Sequence, residues 1–120
     1  MQEYEKAYIA ALIDARGHVG TLFDSRTGHR NPYLRIVWKR QPLLQIAKRM
    51  PMFNGPYDLN ARWSYLTVRR TQLLCELLEQ VQPYMIVQAN TVESILPFVR
   101  YRAGHLYNRN STIERLLLCQ

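Results

Sequence analysis

Three alanines spaced four residues apart, Ala7, Ala11 and Ala15, with Ala10 beside them, put a flat strip of small side chains on one helix face. Tyr4, Ala7, Tyr8, Ala11, Leu12 and Ala15 recur at spacings of three and four, which predicts a helix over residues 3–15. Such a strip lets a second helix backbone approach closer than the roughly 8–10 Å that larger side chains enforce. The alternative is a helix packed inside its own monomer. Gly17 stands where glycine commonly ends a helix. From there the period drops to two: Val19, Thr21 and Phe23 alternate with His18, Gly20, Leu22 and Asp24, predicting a strand over 18–25.

The remaining punctuation sets the element order. Arg26 to Pro32 reads as a polar loop holding Gly28 and Asn31-Pro32. A second strand covers 33–40, with Leu34, Ile36 and Trp38 on one side and Tyr33, Arg35, Val37 and Lys39 on the other. Pro42 suits a first helical turn, and that helix runs from Leu43 to about Arg49, stopping before Pro51. Asn54-Gly55-Pro56 is a turn opening a hairpin, with a short strand near Pro56 to Asp58 and a longer one from Ala61 to Arg69. Thr71 can cap a helix running to about Gln80, and Pro83 breaks it. A last helical stretch covers Asn90 to about Tyr101, interrupted at Pro97. Ser111 or Thr112 then caps a short segment to Leu118. The expectation is one α+β domain over residues 1–120, with one antiparallel four-stranded sheet and helices on one face.

The 120 residues carry a formal charge of +7, and 48% of them are hydrophobic. That apolar fraction excludes a disordered chain, and the charge favours a polyanionic partner over a merely solvated surface. Cys75 and Cys119 form neither metal spacing nor a disulfide framework, which fits a reducing compartment. The acidic start Met1-Gln2-Glu3-Tyr4-Glu5 is unlike a signal peptide, and no apolar run approaches the roughly 20 residues a bilayer needs. An intracellular protein without a membrane partner is expected.

The nine residues Ile9-Ala10-Ala11-Leu12-Ile13-Asp14-Ala15-Arg16-Gly17 resemble the LAGLIDADG motif, matching it at Ala10, Leu12, Ile13, Asp14, Ala15 and Gly17. Gln82-Pro83-Tyr84-Met85 before a helix is similar to the proline turn that recurs late in the LAGLIDADG homing endonucleases. The αββαββα order is also that family's, so the resemblance covers nearly the whole chain. It implies a double-stranded DNA-binding homodimer of the single-motif type, its axis between two copies of the first helix. Ala7, Ala10, Ala11, Asp14 and Ala15 then form the interface, with Asp14 capping the helix pair.

The departures from the family concern its chemistry. Phosphodiester cleavage by hard divalent ions needs carboxylates, and the resemblance assigns that role to the motif's eighth letter, here Arg16. Like unit charges about 4 Å apart at an effective dielectric near 20 repel by about 4 kcal/mol, so a guanidinium excludes a metal from that place. No metal site and no cofactor are therefore expected, with Mg²⁺ the ion if the nuclease is active. Arg16 could instead hold a DNA phosphate. Asp14 and Asp24 are the nearest acids that could carry a rearranged site, although neither occupies the matched position. The resemblance also implies a lysine near Gln88, which is missing, and a glutamine where Arg40 stands. Cleavage is expected to be lost or weak. An active endonuclease with a rearranged site and an RNA-splicing maturase remain alternatives.

A sheet covered by helices on one side presents its other face to a partner. Candidate DNA contacts are Tyr33, Arg35, Lys39 and Arg40 on the second strand, Arg62, Ser64, Arg69 and Arg70 on the fourth, and Arg26 and Arg30 in the first hairpin loop. Arg100, Arg102, Arg109 and Arg115 cluster in the C-terminal third, where they contact flanking phosphates or lie in solvent. His18, His29 and His105 are scattered and read as surface or loop residues.

Overall fold

The structure, a computed structural model, describes residues 1–104 and residue 113. The expected segment from Ser111 or Thr112 to Leu118, apart from Ile113, lies outside the described residues, as do His105, Arg109, Arg115 and Cys119. The chain runs α1 (Glu3–Arg16), β1 (Gly17–Asp24), β2 (His29–Trp38), α2 (Arg40–Arg49), β3 (Asn54–Asp58), β4 (Ser64–Thr67), α3 (Thr71–Val81), a 3-10 turn (Gln82–Tyr84) and α4 (Ala89–Ala103). The strands form one antiparallel sheet in the order β1-β2-β4-β3. This is the α+β architecture the sequence patterning implies.

Helix α1 starts where the Glu5 carboxylate accepts the Gln2 N–H at 2.9 Å. Its inner face buries Ile9, Ala10, Leu12 and Ile13. Ala10 is a correction: it has no solvent exposure and packs in its own core, a third of a turn away from the strip of Ala7, Ala11 and Ala15. Those three are exposed, together with Tyr4 at 74% and Tyr8 at 48%. Helix α3 buries every residue from Leu73 to Leu78, Glu76 included, and is the centre of the core.

Gly17 does not end α1 in the left-handed conformation. Its backbone is extended, with φ −98° and ψ 161°, and it is the first residue of β1. Glycine is required because a Cβ would come within 2.8 Å of Ile13 Cα and 2.9 Å of the Ile13 carbonyl oxygen. A positive φ of 73° falls instead at Gly28, in the turn closing the β1–β2 hairpin.

Several strand boundaries differ from expectation; β3, for one, begins at Asn54, inside the expected turn. Strand β2 begins at His29, so Arg30 and Pro32 lie in the sheet rather than in a loop. Pro32 is tolerated because β4 pairs with β2 only from Arg35 to Trp38, leaving an open edge beside it. Strand β2 then stops at Trp38: Lys39 is the N-cap of α2 and Arg40 its first residue. Strand β4 is short because Asn60 Oδ1 accepts the N–H groups of Arg62 and Trp63, both at 2.9 Å, folding that stretch into a turn. At its other end Arg70, not Thr71, is the N-cap of α3. Helix α4 runs unbroken through Pro97, which faces solvent and costs one backbone bond there.

Candidate nucleic-acid interface

Alternation along the strands divides the sheet. Val19, Leu34, Ile36, Ser64 and Leu66 turn into the core beneath the helices. The cross-strand pairs His18–Arg35, Gly20–Tyr33, Arg35–Thr67, Val37–Tyr65 and Tyr57–Tyr65 share the opposite face. That open face is built of cations seated on aromatic rings. The Arg35 guanidinium lies 4.9 Å from the Tyr65 ring and 5.6 Å from the Tyr33 ring. Arg69 lies 5.1 Å from the Tyr57 ring and donates from Nη2 to the Tyr57 hydroxyl. Such stacking holds a guanidinium in place while its N–H edges stay directed outward. His18 and Tyr33 tilt against each other at 5.4 Å, and the Tyr33 hydroxyl shares a hydrogen bond of 2.5 Å with His18 Nδ1.

Of the expected contact residues, Tyr33 and Arg35 lie together at the centre of this face. Arg69 follows the end of β4 and joins them through Tyr57. Ser64 is a correction: it is buried, because the alternation of β4 sets it beside Leu66, and its hydroxyl donates to Asp58 Oδ1 at 3.4 Å. Arg62 sits in the β3–β4 loop, 5.1 Å over the Trp63 ring, rather than on a strand. Lys39 and Arg70 occupy helix N-caps, and Arg40 pairs with Asp58 at 3.2 Å. Arg30 donates to the Thr21 hydroxyl at 3.1 Å on the helix side of the hairpin, and Arg26 pairs with Asp24 at 3.5 Å. Arg100 pairs with Glu79 at 2.7 Å and Arg102 donates to Asn31 Oδ1 at 2.8 Å, so both have protein partners.

The end of α1 is organised around two residues. Asp14 accepts the backbone N–H groups of Ile86 at 2.7 Å and Gln88 at 2.9 Å. Burial pushes the Asp14 carboxyl up, but the N–H groups of Ile86, Gln88 and Val87 outweigh it and hold its pKa below the ordinary value. Asp14 therefore caps, within one chain, the turn that precedes α4. The Gln88 side-chain amide answers it by donating to the Ile13 carbonyl at 2.7 Å and the Gly17 carbonyl at 2.8 Å. The Ile13 carbonyl also accepts the Gly17 N–H, so the Gln88 amide adds a second bond where the helix passes into β1. The position at which the resemblance implies a lysine thus closes the end of the motif helix. No sequence signal points to this role, since it depends on residues more than 70 positions apart.

Arg16 projects from the last turn of α1 and lies 5.0 Å over the Trp38 ring. A divalent ion does not suit this donor set. The guanidinium offers no lone pair, both Asp14 oxygens face the 86–88 backbone, and Asp24 is at the far end of β1, about 23 Å away. Among the described residues no group of three or more His, Cys, Asp or Glu side chains could hold a metal. Beside the exposed strip of α1, the turn after the 3-10 segment adds Ile86 and Val87, 87% and 75% exposed. Between α1 and α2 lies a groove of about 480 Å³ walled by Tyr4, Tyr8, Trp38 and Ile46. Among the described residues no helix is long and apolar enough to cross a membrane.

No family sequence model matches the chain, and no curated protein matches it by sequence. Its similarity is to solved structures. The homing endonuclease I-CvuI in complex with the I-CreI target superposes at a TM-score of 0.73 with 19% identity, over 85% of this chain and 69% of that one. The LAGLIDADG meganuclease I-AabMI bound to uncleaved DNA gives 0.62 and 12%, over 84% of this chain and 38% of that one. The archaeal intron-encoded homing endonuclease I-Vdi141I complexed with DNA gives 0.54 and 17%, over 98% and 95% of the two chains. The fold of this chain is that of the LAGLIDADG homing endonucleases.

Proposed function

We propose that this chain is a LAGLIDADG-type protein that binds double-stranded DNA as a homodimer and has lost efficient cleavage because Arg16 replaces the metal-binding acid. The observation that carries the reading is the open face, where Arg35 and Arg69 are held on Tyr33, Tyr65 and Tyr57, on a fold whose solved examples include complexes with DNA. A stacked arginine fork reaches either a phosphate or a guanine edge in the major groove.

The dimer is supported by the exposed face of α1. Tyr4, Ala7, Tyr8, Ala11 and Ala15 form an apolar stripe that nothing in the described chain covers, next to Ile86 and Val87. Pairing two such stripes about a twofold axis brings the two copies of Arg16 near that axis and sets the two open faces side by side. In this arrangement Arg16 serves as a phosphate contact. The Arg16–Trp38 stack holds the guanidinium in place for it.

Fluorescence anisotropy with duplex DNA across a salt series tests the reading, together with sedimentation and a plasmid-nicking assay in Mg²⁺ or Mn²⁺. The expected log–log salt slope is about −5 or steeper if the dimer engages six or so phosphates. The expected species is a dimer that Ala11→Leu weakens by about 1–3 kcal/mol through overpacking. A flat salt dependence removes DNA as the partner, and metal-dependent double-strand cutting by the unaltered protein overturns the role given to Arg16. Preference for single-stranded or structured RNA over duplex DNA at equal salt would favour an RNA-splicing role instead.

A further inference from the structure

The outer half of the β1–β2 hairpin stands apart from the rest of the sheet. Strand β4 reaches β2 only between Arg35 and Trp38, so from Leu34 outward the two strands continue as a two-stranded ribbon. A ribbon of this kind fits a major groove about 12 Å wide. On its open face the cross-strand rungs run outward as His18–Arg35, Gly20–Tyr33, Leu22–Asn31 and Asp24–His29. Three of these rungs carry a ring or a charge, and the third from the centre carries Leu22.

A single exposed leucine is ordinary on a protein surface. Leu22 differs in its place. It is 47% exposed on the face that alternation directs away from the core, within a row of polar and aromatic side chains. Its partner in the rung, Asn31, has its carbonyl oxygen engaged by Arg102 Nη2 at 2.8 Å. The apolar group this rung offers to a base edge is the isobutyl side chain of Leu22. The major-groove edges of the four bases offer one apolar group, the C5-methyl of thymine.

The geometry points to Leu22 as a specificity-determining residue that reads a thymine methyl in each half-site. This rests on the proposed binding of duplex DNA. Successive rungs on one face are about 6.8 Å apart, close to two base-pair steps of about 3.4 Å. Leu22 lies two rungs beyond Arg35, so the thymine falls about four base pairs outward from the pair that Arg35 addresses.

A target site is first selected from random duplexes by binding to the unaltered protein; the experiment then replaces each thymine of its half-site in turn with deoxyuridine, which removes the methyl and leaves every hydrogen-bonding group. One substitution, about four base pairs outside an Arg35-dependent position, should weaken binding by the unaltered protein about three- to fivefold, the worth of one buried methyl group. Leu22→Ala should bind thymine and deoxyuridine duplexes equally, and 5-methylcytosine at that position should recover part of the affinity for the unaltered protein alone. Tight, salt-dependent binding that ignores every thymine-to-deoxyuridine change overturns the role of Leu22 and leaves the DNA-binding reading standing. Failure to bind any duplex overturns both. The deoxyuridine scan uses the unaltered protein, so the outcome does not depend on how Leu22→Ala folds.

Discussion

The end of α1 and the open sheet face are joined by β1, yet they use their polar groups in opposite ways. At the end of α1, Asp14 and Gln88 direct their hydrogen bonds to backbone within the chain. On the open face, Arg35 and Arg69 rest on tyrosine rings and have no carboxylate partner among the ion pairs of the described residues. One region sets geometry; the other leaves two guanidinium groups stacked on rings and without a carboxylate partner among the described residues. Changes at the first should therefore register as stability and changes at the second as affinity.

The largest effect expected is on affinity. Arg35→Glu with Arg69→Glu reverses two charges per subunit and leaves the aromatic platform intact. Binding to duplex DNA should fall about a thousandfold at moderate salt, and the salt slope should flatten by about one unit for each phosphate that is no longer neutralised. The urea midpoint should scarcely move, since both side chains lie outside the core. An unchanged affinity would mean that the open face is not the binding surface and would remove the contrast between the regions.

Gly17→Ala probes the other side. Its Cβ would meet Ile13 Cα at 2.8 Å, a backbone atom that cannot rotate away. A loss of about 3 kcal/mol in urea unfolding is expected, at the upper end of ordinary overpacking. A smaller loss, near that of an exposed glycine, would show that the end of α1 yields more than its hydrogen bonds suggest.

These two regions are unequally legible in the sequence. Residues 9–17 announce the motif helix, and the alternation of Leu34 and Ile36 against Tyr33 and Arg35 fixes which side of β2 faces the core. The fourth strand reads too long because hydrophobic alternation through Trp63, Tyr65 and Thr67 looks continuous with its flanks. The Asn60 side chain, which ends it by capping two backbone N–H groups, is a local signal outweighed by that pattern. Ala10 falls in with the exposed strip because small residues look alike in sequence, whereas the helical period separates it from Ala7 and Ala11. The bonds from the Ile86 and Gln88 N–H groups to Asp14, and from the Gln88 amide to the Ile13 and Gly17 carbonyls, join distant parts of the chain, and spacing cannot encode them.

Asp14→Asn separates charge from shape in the same turn. An asparagine keeps one acceptor oxygen and turns an NH₂ group toward a backbone N–H, so about 2 kcal/mol should be lost at neutral pH. The Asp14 pKa lies below the ordinary value of 3.8 in the folded chain. Its contribution is therefore complete above that unfolded value and is lost as pH falls through the lower folded value. Urea unfolding at a series of pH values from neutral down to about 2 should show the two proteins converging at the acid end. Curves that stay parallel would mean that the carboxylate charge adds nothing beyond its shape.

The smallest change in stability is expected at Arg16, where the two regions meet. Its guanidinium is exposed and touches Trp38 across one face, an interaction worth about 0.5–1 kcal/mol. Arg16→Ala should cost no more than that in urea unfolding. Arg16→Asp should cost about the same in stability and weaken DNA binding about thirtyfold at moderate salt, because an attraction to phosphate becomes a repulsion. That variant adds one carboxylate per subunit at the end of α1, and in the proposed dimer the two stand near the axis with the like charges removed. Calorimetric titration with Mg²⁺ or Mn²⁺ should then detect an ion that the unaltered protein does not bind there. Nicking of a plasmid carrying the selected site should follow more weakly, since Gln88 supplies no cation where the resemblance implies a lysine. Metal binding by Arg16→Asp with unchanged stability would identify residue 16 as the point at which the chain gave up chemistry and kept its fold. If neither metal binding nor nicking follows, the arginine is not what holds the nuclease off.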